Sequence, residues 1–150
     1  MLGQHSLGNE IEKILYSGHG TTDGNYLKQY VDQCLAGIDT GKYLYLAHPD
    51  LFLFNGGEAV FDREYRRLCR EVKKRNIPLE INFLGLMEER WYPNEKFWKI
   101  AGEEGNTAVF GCDAHTPKAV WNPETEQKAL QLAAKYGLKV QETVPMPKTF

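Results

Sequence analysis

Two hydrophobic patterns alternate along the chain, and this alternation constrains the fold more than any other feature. In segments 26–35 and 60–72, apolar residues recur every three or four positions, which predicts helices with one buried face. A short, largely apolar run at 42–48 is typical of a strand covered on both faces, and further strands are predicted at 79–83 and 107–115. Strands that alternate with helices form parallel βα units, so the sequence predicts an α/β fold.

The later part of the chain continues this alternation. A short helix is predicted around residues 97–101, and a final strand is predicted over 138–142. Between them, Asn122 is suited to cap a helix, Pro123 fits the first helical position, and Gly137 favours a left-handed helix end. These boundary residues predict a further helix between the two segments.

Length and charge set limits on organisation and partners. The 150 residues are 42% hydrophobic, which suits one domain over 1–150, with an irregular tail at 144–150. Eighteen Lys and Arg against twenty Asp and Glu argue against a nucleic-acid partner. No apolar stretch approaches the roughly 20 residues that span a bilayer, and the three cysteines fit no disulfide framework. We therefore expect a cytoplasmic protein that binds neither nucleic acid nor membrane.

Residues that bind metals stand at the predicted strand ends. Asp113 and His115 lie two apart on one strand, where side chains share a face and can converge on one ion. His48 closes another strand, and His5 either ends a further one or lies in a disordered start. Each alone is more often structural, but three of four histidines at strand ends predict a metal site for zinc, manganese or iron.

Other polar residues border this predicted site. Glu80 and Asn82 share a strand face, either as a buried hydrogen-bonded pair or as part of a pocket. His19, between two glycines, is either an exposed loop residue or a substrate contact at the same rim. Because no nucleophile elbow, phosphate-binding glycine loop or Cys–His dyad occurs, water activated by the metal is the expected nucleophile, and no catalytic side chain is assigned.

Five segments resemble, in order, the later motifs of the PHP (polymerase and histidinol phosphatase) superfamily, and histidinol phosphatases most closely. The segments read LGQH, AHPDLF, LEIN, GLMEERWYPNEKFW and FGCDAH, and the resemblance covers about residues 1 to 121. It implies a distorted seven-stranded (βα) barrel that holds two or three metal ions. Since the family's opening His-x-His strand does not appear, the expected fold is a partial barrel, the C-terminal two-thirds, lacking the N-terminal strands.

The resemblance also implies roles for individual residues. The similar metal ligands are His5, His48, Asp113 and His115. Glu80 and Asn82 match the Glu-x-Asn strand that lines the barrel interior. Met87 stands where a phosphate-binding arginine is common, so Arg90 is the expected substitute for binding phosphate.

The expected activity is hydrolysis of a small phosphomonoester, such as histidinol phosphate, by a metal-dependent phosphoesterase. Four ligands are about half of what a multinuclear site needs, so we expect weak or absent turnover by this chain. Open strand edges recruit other chains, which predicts a homo-oligomer. The alternatives are a non-enzymatic metal-binding or oligomeric remnant with one structural zinc, and a PHP-type protein-tyrosine phosphatase.

Overall fold

The computed structural model describes residues 1–7 and 15–144 and shows a mixed α/β protein. The helices are α1 (Gly24–Asp39), α2 (Glu58–Lys74), α3 (Phe83–Met87), α4 (Glu95–Glu103) and α5 (Pro123–Lys135). The strands are β1 (Ser6–Leu7), β2 (Leu15–Tyr16), β3 (Leu79–Asn82), β4 (Thr107–Gly111) and β5 (Lys139–Val140). The predicted α/β class is confirmed. No helix in the described ranges is long and apolar enough to cross a membrane.

A parallel sheet forms the centre of the fold. Its strands β3, β4 and β5 are adjacent in that order, and all pair in parallel. Leu46 extends the array through one parallel bridge to Leu79 and another to Leu2. The Glu80 N–H donates to the Leu46 carbonyl at 2.9 Å, and the Leu46 N–H donates to the Pro78 carbonyl at 3.1 Å. The order in space therefore follows the order in the chain. Strands β1 and β2, which the sequence did not predict, form a separate antiparallel pair.

The predicted strands are longer than those observed. The strand expected at 42–48 is reduced to the single bridge at Leu46, which bends flank on both sides, and His48 then adopts a left-handed conformation with φ of 72°. The strand expected at 107–115 ends at Gly111, since Asp113 is also left-handed, with φ of 47°. The last predicted strand keeps only Lys139–Val140. Short apolar runs indicate burial more directly than they indicate strand pairing.

Helix boundaries were predicted more accurately. Helix α5 begins at Pro123, and the Asn122 side chain accepts a hydrogen bond from the Thr125 N–H at 3.1 Å. Gly137 has the expected left-handed conformation, with φ of 66°. The predicted helix around 97–101 is α4, which Asn94 caps. Helix α3 was not predicted, and residues 145–150 of the predicted tail lie outside the described residues.

The hydrophobic core lies between the helices and one face of the sheet. Leu79, Ile81 and Ala108 belong to this core, where they join Trp98 of α4 and Tyr65 of α2. Because side chains alternate along a strand, the intervening residues of β3 point to the other face. This second face carries the polar residues described below.

A buried loop follows residue 48, and aromatic side chains hold its backbone. Three loop carbonyls accept hydrogen bonds from donors on different parts of the chain, which satisfies groups that no regular element pairs. The bonds are Tyr30 Oη to Pro49 O at 3.1 Å, Tyr65 Oη to Phe52 O at 3.2 Å, and Trp91 Nε1 to Leu51 O at 2.8 Å. The loop is therefore fixed from three sides.

Asp50 ties the same loop to helix α4. Its side chain is only 3% exposed, and Oδ2 accepts hydrogen bonds from the Asn94 N–H and, at 3.0 Å, from Trp98 Nε1. Burial raises the pKa of this carboxyl to about 7, and the two hydrogen bonds only partly oppose that rise. Asp50 thus joins the loop to the start of α4, and this arrangement places an ionisable carboxyl in the core, where its charged form is unfavourable.

We expect the Asp50→Asn variant to lose part of the pH dependence of stability. Because the folded-state pKa of about 7 lies above the ordinary 3.8, the folded state binds more protons in this window, and stability falls as the pH rises through it. Asn cannot ionise, yet its single oxygen can accept both hydrogen bonds. Urea unfolding at both ends of the window should show a smaller decrease for the variant.

The matched control is Asp62→Asn. Asp62 is an exposed carboxylate whose pKa is lowered by its hydrogen bond with Arg66, so its titration lies below this window. We expect this variant to retain the wild-type pH dependence. If the free energy of unfolding changed equally with pH in the wild type and in Asp50→Asn, the Asp50 carboxyl would not contribute to the pH dependence of stability.

Candidate metal centre

His5 and His48 lie side by side at the same edge of the sheet. The parallel bridge between Leu2 and Leu46 brings the chain segments after them together. The two imidazole rings meet edge to face, with their centroids 4.8 Å apart. Gly3 leaves the necessary space, since a Cβ there would lie 3.2 Å from the Nε2 atoms of both histidines.

The His48 imidazole has features typical of a ligand to a cation. It is 3% exposed, and its buried Nδ1 has no hydrogen-bond partner among the described residues. Burial lowers the pKa of His48 below the ordinary 6.5, and the neighbouring His5 lowers it further. A neutral imidazole is the form that binds metals, so the site keeps His48 in that form at neutral pH.

Asn82 links two carboxylates on the polar face of the sheet. Its Nδ2 donates to Glu80 Oε2 at 3.1 Å and to Asp113 Oδ2 at 3.3 Å. Its Oδ1 accepts from the Gly85 N–H at 3.0 Å, which also caps α3. Gly111, next to Asn82 in the sheet, must lack a side chain because a Cβ there would collide with the Glu80 carboxylate. The predicted sharing of one face by Glu80 and Asn82 is confirmed.

The environment of Glu80 favours its neutral form. Burial raises the pKa of Glu80 to about 7, and the negative charge of Asp113 raises it further, while the hydrogen bond from Asn82 opposes both. Two carboxylates that share one donor repel each other when both are ionised. The Asn82 amide, which donates to both, therefore offsets part of the repulsion between the Glu80 and Asp113 carboxylates.

Asp113 and His115 approach each other, but not as two residues on a strand. His115 Nε2 lies 3.7 Å from Asp113 Oδ1, and the His115 side chain is 76% exposed. Strand β4 has already ended at Gly111, so the expectation that they share a strand face is wrong. The left-handed conformation of Asp113 instead turns the chain and brings the two side chains together.

The imidazole and carboxylate sides border one cavity of about 450 Å³. His48, Glu80, Cys112 and Asp113 all line it. Within residues 1–7 and 15–144, however, no three His, Cys, Asp or Glu side chains are grouped closely enough to hold a metal ion. The structure thus brings together His5 with His48 and, separately, Asp113 with His115. The donor types suit a divalent cation, and the geometry arranges them as two pairs.

The remaining predicted residues lie further out. His19 is exposed in the 3-10 turn Ser17–His19, and its ring packs edge-on against Tyr16. Arg90 pairs with Glu88 at 2.6 Å and donates to the Tyr92 hydroxyl at 2.8 Å. The centroid of the buried Tyr92 ring lies 6.4 Å from that of the His48 ring, and neither Tyr92 nor Arg90 lines the cavity.

Tyr92 and Gly111 shape the site but were not identified from the sequence. Gly111 had a usable signal, because a glycine inside a predicted strand often marks a close approach. Tyr92 had none, since its contact with His48 depends on how the chain folds between β3 and α4.

Comparisons of the chain with protein-family models, with curated proteins and with solved structures found no match. The features of the chain that indicate a metal centre are the His5–His48 pair and the Glu80 and Asp113 carboxylates, which border the same cavity as His48.

We expect Asn82→Ala to destabilise the protein by about 2–3 kcal/mol, because it leaves the buried Glu80 carboxylate and the Gly85 N–H without partners. Asn82→Asp keeps the cap but adds a third carboxylate, so it should destabilise more at neutral pH than in mild acid. Urea unfolding at both pH values measures these changes.

Asn94→Ala is the matched control for the cap. The Asn94 side chain accepts only the Lys96 N–H, so its loss should cost about 1 kcal/mol with little pH dependence. Equal effects of Asn82→Ala and Asn94→Ala would indicate that the contacts to the carboxylates contribute nothing.

Proposed function

We propose that this chain is a metal-binding α/β protein of the phosphoesterase type, similar in its later motifs to the PHP superfamily. The observation that carries the proposal is the His5–His48 pair, in which a buried and neutral imidazole borders the same cavity as Asp113. Such a set of nitrogen and oxygen donors suits zinc, manganese or iron.

The order of the strands supports a partial barrel. The segments at Leu2 and Leu46 and the strands β3, β4 and β5 are parallel neighbours in chain order, and helices connect each to the next. A doubly wound sheet would reverse this order at one point, whereas a (βα) barrel keeps it throughout. The site lies at the carboxyl ends of the strands, where ligands bind in such barrels.

The reaction that fits this donor set is hydrolysis of a small phosphomonoester. A bound divalent cation supplies a more acidic water molecule and polarises a phosphoryl oxygen. The protein's own part is to hold the cation through His5 and His48, while Asn82 orients Asp113. Arg90 would meet the phosphate only after releasing Glu88, with which it now forms an ion pair.

A second candidate is metal binding without turnover. It is favoured by the separation of the donors into two pairs, since the described residues contain no group of three. A multinuclear phosphoesterase needs more ligands around each cation than one such pair provides. Binding measurements and turnover measurements therefore have to be made separately.

We expect the wild-type chain to bind zinc or manganese, as measured by isothermal titration calorimetry. His48→Ala and Asp113→Ala should each weaken the affinity by at least about tenfold, which corresponds to roughly 1.4 kcal/mol. His19→Ala is the matched control, because His19 is exposed and packs against Tyr16, and it should keep the wild-type affinity.

Turnover is tested on the same metal-loaded samples with p-nitrophenyl phosphate. Metal-dependent hydrolysis that disappears in His48→Ala would support the phosphoesterase. Metal binding without hydrolysis would favour the second candidate. Absence of metal binding, or equal binding by all variants, would contradict the proposed site.

A further inference from the structure

Exposed apolar side chains gather beside helix α5. Val120, Trp121 and Leu130 are 59%, 66% and 49% exposed, which is high for residues of their size. Trp121 Nε1 donates to Glu126 Oε2 at 3.2 Å, and Glu126 lies one helical turn before Leu130. The Trp121 hydrogen bond places its indole beside the helix face that carries Glu126 and Leu130, and exposed apolar side chains that lie close together are typical of interaction sites.

Glu126 and Leu130 also line a groove, here called the β5 groove, with a volume of about 500 Å³. Its apolar walls come from strands β4 and β5, from helix α5 and from the segment before Leu46. They include Tyr45, Val109, Phe110, Leu130, Val140 and Val144. Tyr45 and Phe110 also border the cavity of the candidate metal centre.

The charged side chains that line the β5 groove are all acidic. Glu126 and Glu142 line it, and no Lys or Arg of the described chain does so. The Glu126 carboxylate can accept from a second donor, since a carboxylate accepts several hydrogen bonds and, among residues 1–7 and 15–144, only the Trp121 indole bonds to it. An occupant must therefore combine apolar side chains with positive charge.

We propose that the β5 groove is a docking surface for a segment of a partner protein in which apolar residues alternate with lysine or arginine. Apolar side chains would fill the space between Tyr45 and Leu130, and basic side chains would pair with Glu126 and Glu142. The segment fits in extended form, because β5 is the outer strand of its sheet within the described residues and such edges pair with added strands.

A second copy of the chain fits the groove less well. The most basic element, α2, has its central arginines in ion pairs: Arg66 with Asp62 and Glu104, and Arg67 with Glu64. Docking this helix would require breaking those pairs. The chain's own residues 145–150, which carry one lysine and follow a residue that lines the groove, are the other alternative.

The probe is a short synthetic peptide of alternating lysine and valine, titrated into the full chain and followed by isothermal titration calorimetry. We expect saturable binding that a peptide of alternating glutamate and valine does not show. Glu126→Lys should weaken binding by at least about tenfold, and Leu130→Lys should do the same. Circular dichroism checks that both variants are folded.

The matched control is Glu124→Lys on the same helix. Glu124 is 79% exposed, pairs with Lys128 and does not line the groove, so this variant changes the net charge equally without changing the groove. We expect it to bind the peptide as wild type does, at both low and moderate salt.

Four results would overturn the proposal. The first is the absence of binding, and the second is an equal loss of affinity in Glu124→Lys, which would indicate unspecific charge attraction. The third is binding that appears only after deletion of residues 145–150, which would assign the groove to the chain's own end. The fourth is a wild-type dimer that Leu130→Lys dissociates, seen by light scattering, which would assign it to a second copy.

Discussion

The buried carboxyl of Asp50 is the contact on which the geometry of the site depends. It accepts hydrogen bonds from the start of α4 and from Trp98, and so fixes a loop that has no regular backbone pairing of its own. His48 lies two residues earlier, in a left-handed conformation that few residues adopt without support. The buried Asp50 carboxyl thus helps to hold the loop that begins at His48, whose imidazole borders the cavity.

The helices were predictable because their signals are local. A period near 3.6, an Asn cap and a glycine at the end are all properties of neighbouring residues, and α5 follows them closely. Strands depend on partners distant in sequence, so the apolar run at 42–48 revealed its burial but not that only Leu46 would pair. The class of the fold could therefore be predicted, while the lengths of its strands could not.

In the candidate site, too, the sequence indicated some features and could not indicate others. The sequence indicated that His48 and Asp113 end neighbouring strand segments, and both border one cavity. It could not indicate that the His5 ring would meet the His48 ring edge to face while His115 stayed exposed beside Asp113, since the positive φ angles at His48 and Asp113 are not evident from the sequence. The link from Asn82 to Asp113 likewise required the register of β3 against β4, which no local pattern contains.

The parallel sheet, whose strands are neighbours in chain order, affects how the protein can fold. Each parallel neighbour is supplied by the next stretch of chain, so an added strand contacts mainly what was formed just before it. Assembly can then advance stepwise in one direction, and each step closes a segment of chain that contains at least one helix. Evolution can lengthen or shorten such an array by whole units at its margins and leave the interior arrangement of the remaining strands intact.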